Sequence, residues 1–94
     1  MGHLEKTLEK WRRNPPTHAP IDKVVAAIKR WLPGRFERKP GSHMVIRDTR
    51  LASFEGFGPF GELTIPVAGG QRVKGRYLQR LARAIEIVEE LETQ

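Results

Sequence analysis

The residues best suited to chemistry lie in one short stretch, Arg38-Lys39-Pro40-Gly41-Ser42-His43-Met44-Val45-Ile46-Arg47. A hydroxyl and an imidazole follow a Pro-Gly pair, with cations on both sides. An imidazole ordinarily exchanges its proton near neutral pH, so histidine serves there as base or acid. Placed outward among positive charges, it suits a phosphodiester. RNA is cut without a metal when its own 2′-hydroxyl attacks the adjacent phosphate. That step needs a base for the hydroxyl proton, a cation for the charge on phosphorus, and an acid for the leaving 5′-oxygen. His43 fits a proton role, Arg38, Lys39 and Arg47 fit charge stabilisation, and Ser42 fits a hydrogen bond to phosphate. The competing reading of His43 is an ordinary strand histidine.

The elements around this stretch must hold the imidazole outward. Pro40-Gly41 marks a tight turn between a strand over residues 35–39 and another over 42–48, the second continuing towards Leu51. Alternation along the second strand sends Met44 and Ile46 to one face and His43, Val45 and Arg47 to the other. Phe36 and Arg38 share a face of the first. Residues 53–61 form a glycine- and phenylalanine-rich connector, and residues 63–67 a third strand with Leu63, Ile65 and Val67 pointing one way. Pro66 lacks an N–H for the ladder, which places this strand at a sheet edge.

Helices precede and follow. Leu4, Leu8 and Trp11 have helical spacing, and Asn14-Pro15-Pro16 ends that helix. A second helix starts at Pro20, or nearer Thr17 because Ala19 caps poorly. It carries Ile21, Val24, Val25, Ile28, Trp31 and Leu32 as an apolar stripe and stops at Pro33-Gly34. The last helix, over residues 74–91, has a stripe of Tyr77, Leu78, Leu81, Ala84, Ile85, Val88 and Leu91. Ile87 falls outside that stripe, among Arg76, Arg80 and Arg83. Arg72, Lys74, Arg76 and Arg80 crowd the start of this helix and Glu86, Glu89, Glu90 and Glu92 its end, against the helix dipole. Either the basic start seats phosphate or tertiary salt bridges compensate. The sum is an α+β two-layer sandwich of order α-α-β-β-β-α. Its three-stranded antiparallel meander has helices on one face and His43 on the other. We read residues 1–94 as one domain, with a helical extension and loop over 1–19 and a core over 20–92.

Composition narrows the class. A chain of 94 residues supports one small core, and the charge of +6 favours a polyanionic partner, nucleic acid or acidic protein, unless it serves only solubility. Cysteine is absent, which excludes disulfides and thiolate metal sites and suits a reducing cytoplasm. Three scattered histidines without clustered carboxylates give no metal-ligand spacing. His3 and His18 read as exposed, His18 in a proline-flanked loop. Tyr77 suits base stacking or the core. Phe54, Phe57 and Phe60 suit base stacking, partner contact or cover for the core edge.

Gly41-Ser42-His43, the strand Leu63-Thr64-Ile65-Pro66-Val67 and the basic Val73-Lys74-Gly75-Arg76-Tyr77-Leu78 together resemble the HicA toxin family. Leu8-Glu9-Lys10-Trp11-Arg12-Arg13-Asn14-Pro15 is similar to its extended variant. These are messenger-RNA interferases of type II toxin–antitoxin pairs, with a fold like the double-stranded-RNA-binding domain. The resemblance implies that His43 is catalytic; from the residue pattern no cofactor or metal is expected. From their charge and hydroxyl, the residues expected to bind RNA phosphates are Arg38, Lys39, Ser42, Arg47, Arg72, Lys74, Arg76 and Arg80. The implied partner is a HicB-like antitoxin; Ile87, apolar among arginines, and Phe57 in the connector are the contacts expected from the residue pattern, and the absence of cysteine makes the cytoplasm the expected compartment. Many relatives carry a further histidine shortly after the isoleucine-proline pair; this chain has Ala68 there. One histidine fills one proton role, leaving the other to water or a basic side chain. The alternative function is a non-catalytic RNA-binding module of the same fold.

Overall fold

The computed structural model describes residues 3–32, 36–39, 43–69 and 71–92, with side chains for all of these but His3, Leu4, Phe36, Arg38 and Lys39. Among the described residues three α-helices, α1 (His3–Arg13), α2 (Ile21–Trp31) and α3 (Gly75–Glu92), accompany five strands and a short 3-10 turn at Thr49–Leu51. The strands are β1 (His18–Pro20), β2 (Phe36–Lys39), β3 (His43–Arg47), β4 (Glu62–Pro66) and β5 (Arg72–Lys74). They form two antiparallel sheets, one in the order β2-β3-β4 and one of β1 with β5. The architecture is α+β. No described helix is long and apolar enough to cross a membrane.

The three-stranded sheet follows its alternation. Met44 pairs with Ile65 and Ile46 with Leu63, and these four side chains share one core with Val24 and Ile28 of α2 and Leu78, Leu81 and Ile85 of α3. Burial of such side chains contributes about 1.5–3 kcal/mol each and sets which face meets the helices. On the other face His43 is half-buried and Arg47 exposed. Val45, expected outward with them, is closed off from water although it lies outside the main core. It pairs in register with Glu37 and Thr64, where the ion pairs of Arg47 with Glu37 and Glu62 flank it. Pro66 ends β4 at the sheet edge, where its missing N–H breaks no ladder.

The second sheet corrects the expected element order. His18-Ala19-Pro20 is a strand, not a loop or the first turn of α2, and Arg72-Val73-Lys74 is a strand, not a helix start. Proline disfavours helix in the residue before it, which extends the chain at Ala19. The buried Ala19 and Val73 then close the pair against the core. Helix α2 begins after Pro20 with no side-chain cap; the Ile21 N–H donates instead to the Gln71 carbonyl at 2.9 Å. Helix α3 begins the same way, with the Gly75 N–H on the Thr17 carbonyl at 2.9 Å. At Gly75 a β-carbon would stand 2.3 Å from the Pro16 carbonyl oxygen, so only glycine lets the two segments pass.

After β3, Asp48 turns the chain. Its carboxylate, 5% exposed as a residue, accepts from Arg50 N at 3.0 Å, Nε at 2.9 Å and Nη2 at 2.6 Å. Arg50 Nη1 also reaches Glu92 near the end of α3. These hydrogen bonds, those to Asp48 foremost, raise the guanidinium pKa further and hold Arg50 as a permanent cation. The connector closes where Asp48 N–H meets the Gly61 carbonyl at 3.0 Å. Gly61 has φ 75°, and a β-carbon there would lie 1.8 Å from the Asp48 carbonyl oxygen.

Ile87 is the clearest correction. Expected as an exposed anchor, it is 2% exposed and belongs to the core. At 100° per residue it shares a flank of α3 with Ala84 and Arg80, away from the flank that meets α1. The connector covers that flank: its 3-10 turn packs on α3, Phe54 and Phe57 pack against the core, and Arg80 donates to the Gly56 carbonyl. Trp11, 3% exposed, brings α1 onto the other flank, so the extension over residues 1–19 contributes to the same core.

Replacing Ile87 with alanine is therefore expected to cost about 2–4 kcal/mol of unfolding free energy in a urea titration. Ile87→Asp, which buries a charge, should not fold. A cost below about 0.5 kcal/mol for the alanine variant would return Ile87 to the surface.

Candidate functional site

Strand pairing decides what surrounds His43. Its register partners are Lys39 on β2 and Pro66 on β4, whereas Arg38 is opposite Met44. The side chains of Arg38 and Lys39, and Ser42 altogether, lie outside the described residues. Arg47 stands four residues along β3, about 13 Å away at a rise of about 3.3 Å per residue. Its Nε–H reaches Glu62 at 3.1 Å, and its Nη1 lies 3.8 Å from Glu37. Arg47 is thus paired with two carboxylates at the far end of the strand from His43.

The near end gathers other cations. Pro66, Val67 and Ala68 line a cleft of about 230 Å³ together with Lys74, Arg76 and Tyr77. Pro66 is the register partner of His43, so the histidine and this cleft lie at the same corner of the sheet. Lys74 projects from the exposed side of β5, and Arg76 from the first turn of α3 with its guanidinium 5.0 Å from the Tyr77 ring centre. Tyr77 itself is half-buried against the core, which favours its structural role. Residues 63–85 contain neither aspartate nor glutamate, so no neighbouring carboxylate in that segment cancels Arg72, Lys74 or Arg76.

A different cluster forms on the flank of α3. Arg12, Arg80 and Arg83 surround Phe57, Glu55, Gly56 and Gln79 around a cleft of about 520 Å³. Here carboxylates intervene: Glu86 accepts from Arg12 at 2.8 Å and from Arg83 at 2.9 Å. Arg80 therefore stands apart from Lys74 and Arg76, although sequence order groups them. The acidic end of α3 has a structural account, since Glu86 and Glu92 pair with Arg12, Arg83 and Arg50. Among the described residues no cluster of histidine and carboxylate side chains is arranged to hold a metal ion.

No protein-family model, curated protein or solved structure matches this chain.

His43 lies at the same end of the sheet as a cleft whose cations have no carboxylate partner among the described residues, while most arginines elsewhere with described side chains make ion pairs. Uncompensated positive charge of this kind suits a polyanion. Sequence reading missed His18, which belongs to β1 and not to a loop. Its signal, three residues alternating around Ala19, is too short to separate from a turn.

Lys74→Ala and Arg76→Ala should each elute from a heparin column at clearly lower salt than the parent chain. Arg47→Ala should elute close to the parent, because Glu37 and Glu62 already offset its charge. Equal shifts for all three would mean that net charge alone governs polyanion binding.

Proposed function

We propose that this chain is a metal-independent endoribonuclease of the HicA kind. A single RNA strand crosses the corner between β3, β4 and the start of α3. The observation that carries the reading is the pairing of His43 with Pro66, which sets an imidazole beside the Lys74–Arg76 cleft. A three-stranded antiparallel sheet with helices on one side supports likeness to the double-stranded-RNA-binding domain, with β1 and β5 as additions.

The chemistry follows from the groups at that corner. Lys74 and Arg76 hold phosphates of the strand and draw off charge as the 2′-oxygen adds to phosphorus. His43 takes the 2′-hydroxyl proton or protonates the leaving 5′-oxygen, and water fills the other role. General acid–base help of this kind is typically ~10²–10⁴-fold, which fits a slow nuclease. The products are a 2′,3′-cyclic phosphate and a 5′-hydroxyl. The partner in this reading is an acidic HicB-like antitoxin. With Ile87 in the core, Phe57 in its arginine-lined cleft is the remaining anchor for it.

A non-catalytic RNA-binding module is the second reading. It is favoured by the commitment of Arg47 to Glu37 and Glu62, which removes one expected charge stabiliser from the reacting phosphate.

If about four phosphates are engaged, the logarithm of affinity for unstructured RNA should fall with log salt at a slope of roughly −3. A slope near zero would remove nucleic acid from the function.

Cutting decides between the two readings. The chain should cleave unstructured RNA in the presence of a chelator and leave a 5′-hydroxyl on the downstream fragment. His43→Ala should abolish cleavage while keeping RNA affinity within a few fold, because phosphate contacts rest on lysine and arginine. Undiminished cleavage by His43→Ala would overturn the histidine mechanism. Absence of cleavage alongside salt-sensitive binding would establish the binding module.

A further inference from the structure

His18 has no part in the reaction above, yet the fold gives it a defined place. In β1, Ala19 is buried and His18 and Pro20 are exposed; in β5, Val73 is buried and Arg72 and Lys74 are exposed. The register sets His18 opposite Lys74 and Pro20 opposite Arg72. Directly opposed residues share a sheet face. The outward face of this small sheet therefore carries His18, Lys74 and Arg72 and no carboxylate. Arg72 and Lys74 make no ion pair among the described residues, unlike Arg12, Arg47, Arg50 and Arg83.

The face is held in place. Both of its strands lead into helices whose first N–H groups are satisfied across the pair, Ile21 on Gln71 and Gly75 on Thr17. Beside it lies a hollow of about 430 Å³ lined by His18, Pro20, Gln71 and Arg72. The hollow adjoins the cleft at the His43 corner, because Ala68 of that cleft donates its N–H to the Arg72 carbonyl at 2.7 Å.

We propose that the outward face of β1 and β5 is a second phosphate site for single-stranded RNA, in which His18 joins Arg72 and Lys74 to carry the strand onward from the His43 corner. This rests on the RNA reading above. Arg72 and Lys74 stand two residues apart, about 7 Å along an extended strand, a spacing of the order of that between successive phosphates. An acidic protein fits the face less well, because no aromatic or large aliphatic side chain projects from it to anchor an interface. An imidazolium at His18 adds a third cation to the face, so phosphate binding strengthens on acidification. The charged groups around it are Lys74 and Arg72 on β5, Arg76 at the start of α3, and Asp22, exposed in the first turn of α2.

The test uses the full chain with His43→Gln, which silences the other imidazole and any cleavage. Affinity for an unstructured oligoribonucleotide is measured across salt at about pH 5.5 and about pH 8, on either side of ordinary imidazole titration. Binding should tighten several-fold at the lower pH, with a salt slope steeper by ~0.7. Adding His18→Gln should remove most of that tightening and leave the affinity at the higher pH nearly unchanged. Adding His18→Lys should restore tight binding at both. A pH response that survives His18→Gln overturns the role of His18 and leaves the RNA reading standing. Loss of salt-dependent RNA binding already in the His43→Gln chain and the parent alike overturns both. Competition by polyglutamate as effective as by RNA would assign the face to an acidic protein and overturn the proposal.

Discussion

The structure depends on one reciprocal crossing. The segment before α2 and the segment before α3 run antiparallel, and each supplies a carbonyl to the first N–H of the other's helix. A helix start normally recruits a serine, threonine, asparagine or aspartate cap for these donors. Here Pro20 and Lys74 stand where a cap would, and the neighbouring backbone does the work. The crossing is tight enough that Gly75 admits no side chain beneath Pro16. It fixes where both helices begin, brings Val73 into the core, and turns Arg72 and Lys74 outward.

From that start α3 becomes the post on which every other layer leans. Its apolar surface is wider than one sheet covers. Leu78, Leu81 and Ile85 meet the sheet core, α1 covers one flank through Trp11, and the connector after β3 covers the other over Ile87. The Asp48–Arg50–Glu92 chain of charges ties that connector to the far end of the helix. An arginine held by two carboxylates, one of them buried, positions a loop more firmly than an exposed pair does. The charge order of α3, unfavourable for an isolated helix, is resolved by partners from elsewhere in the chain.

Ion pairing also sorts the cations into two populations. Arg12, Arg47, Arg50 and Arg83 serve the scaffold, each with a carboxylate within reach. Arg72, Lys74 and Arg76 have none among the described residues, and Lys74 and Arg76 line the cleft at the His43 end of the sheet. A surface that keeps its charges uncompensated costs self-repulsion, and that cost is offset when a polyanion binds. Lysines on α1 and α2 are also unpaired among the described residues, so the corner is set apart by a histidine at the same end of the sheet as its cations and not by ion pairing alone.

The sequence by itself determined the three helices, the strands either side of the Pro-Gly pair, the edge position of Pro66 and the inward face of Met44 and Ile46. These follow from periodicity, proline geometry and alternation, all local effects readable over a few residues. It also determined that His43 leaves the core side of its strand. Only the tertiary structure decided that His18 and Lys74 are neighbours, because three-residue strands carry too little pattern and pair across most of the chain. Only it decided that Arg47 belongs to Glu37 and Glu62, since a cation in sequence shows its charge but not its partner. It moved Ile87 inside as well, because a helical stripe shows one buried flank and cannot foresee a loop folding over the next.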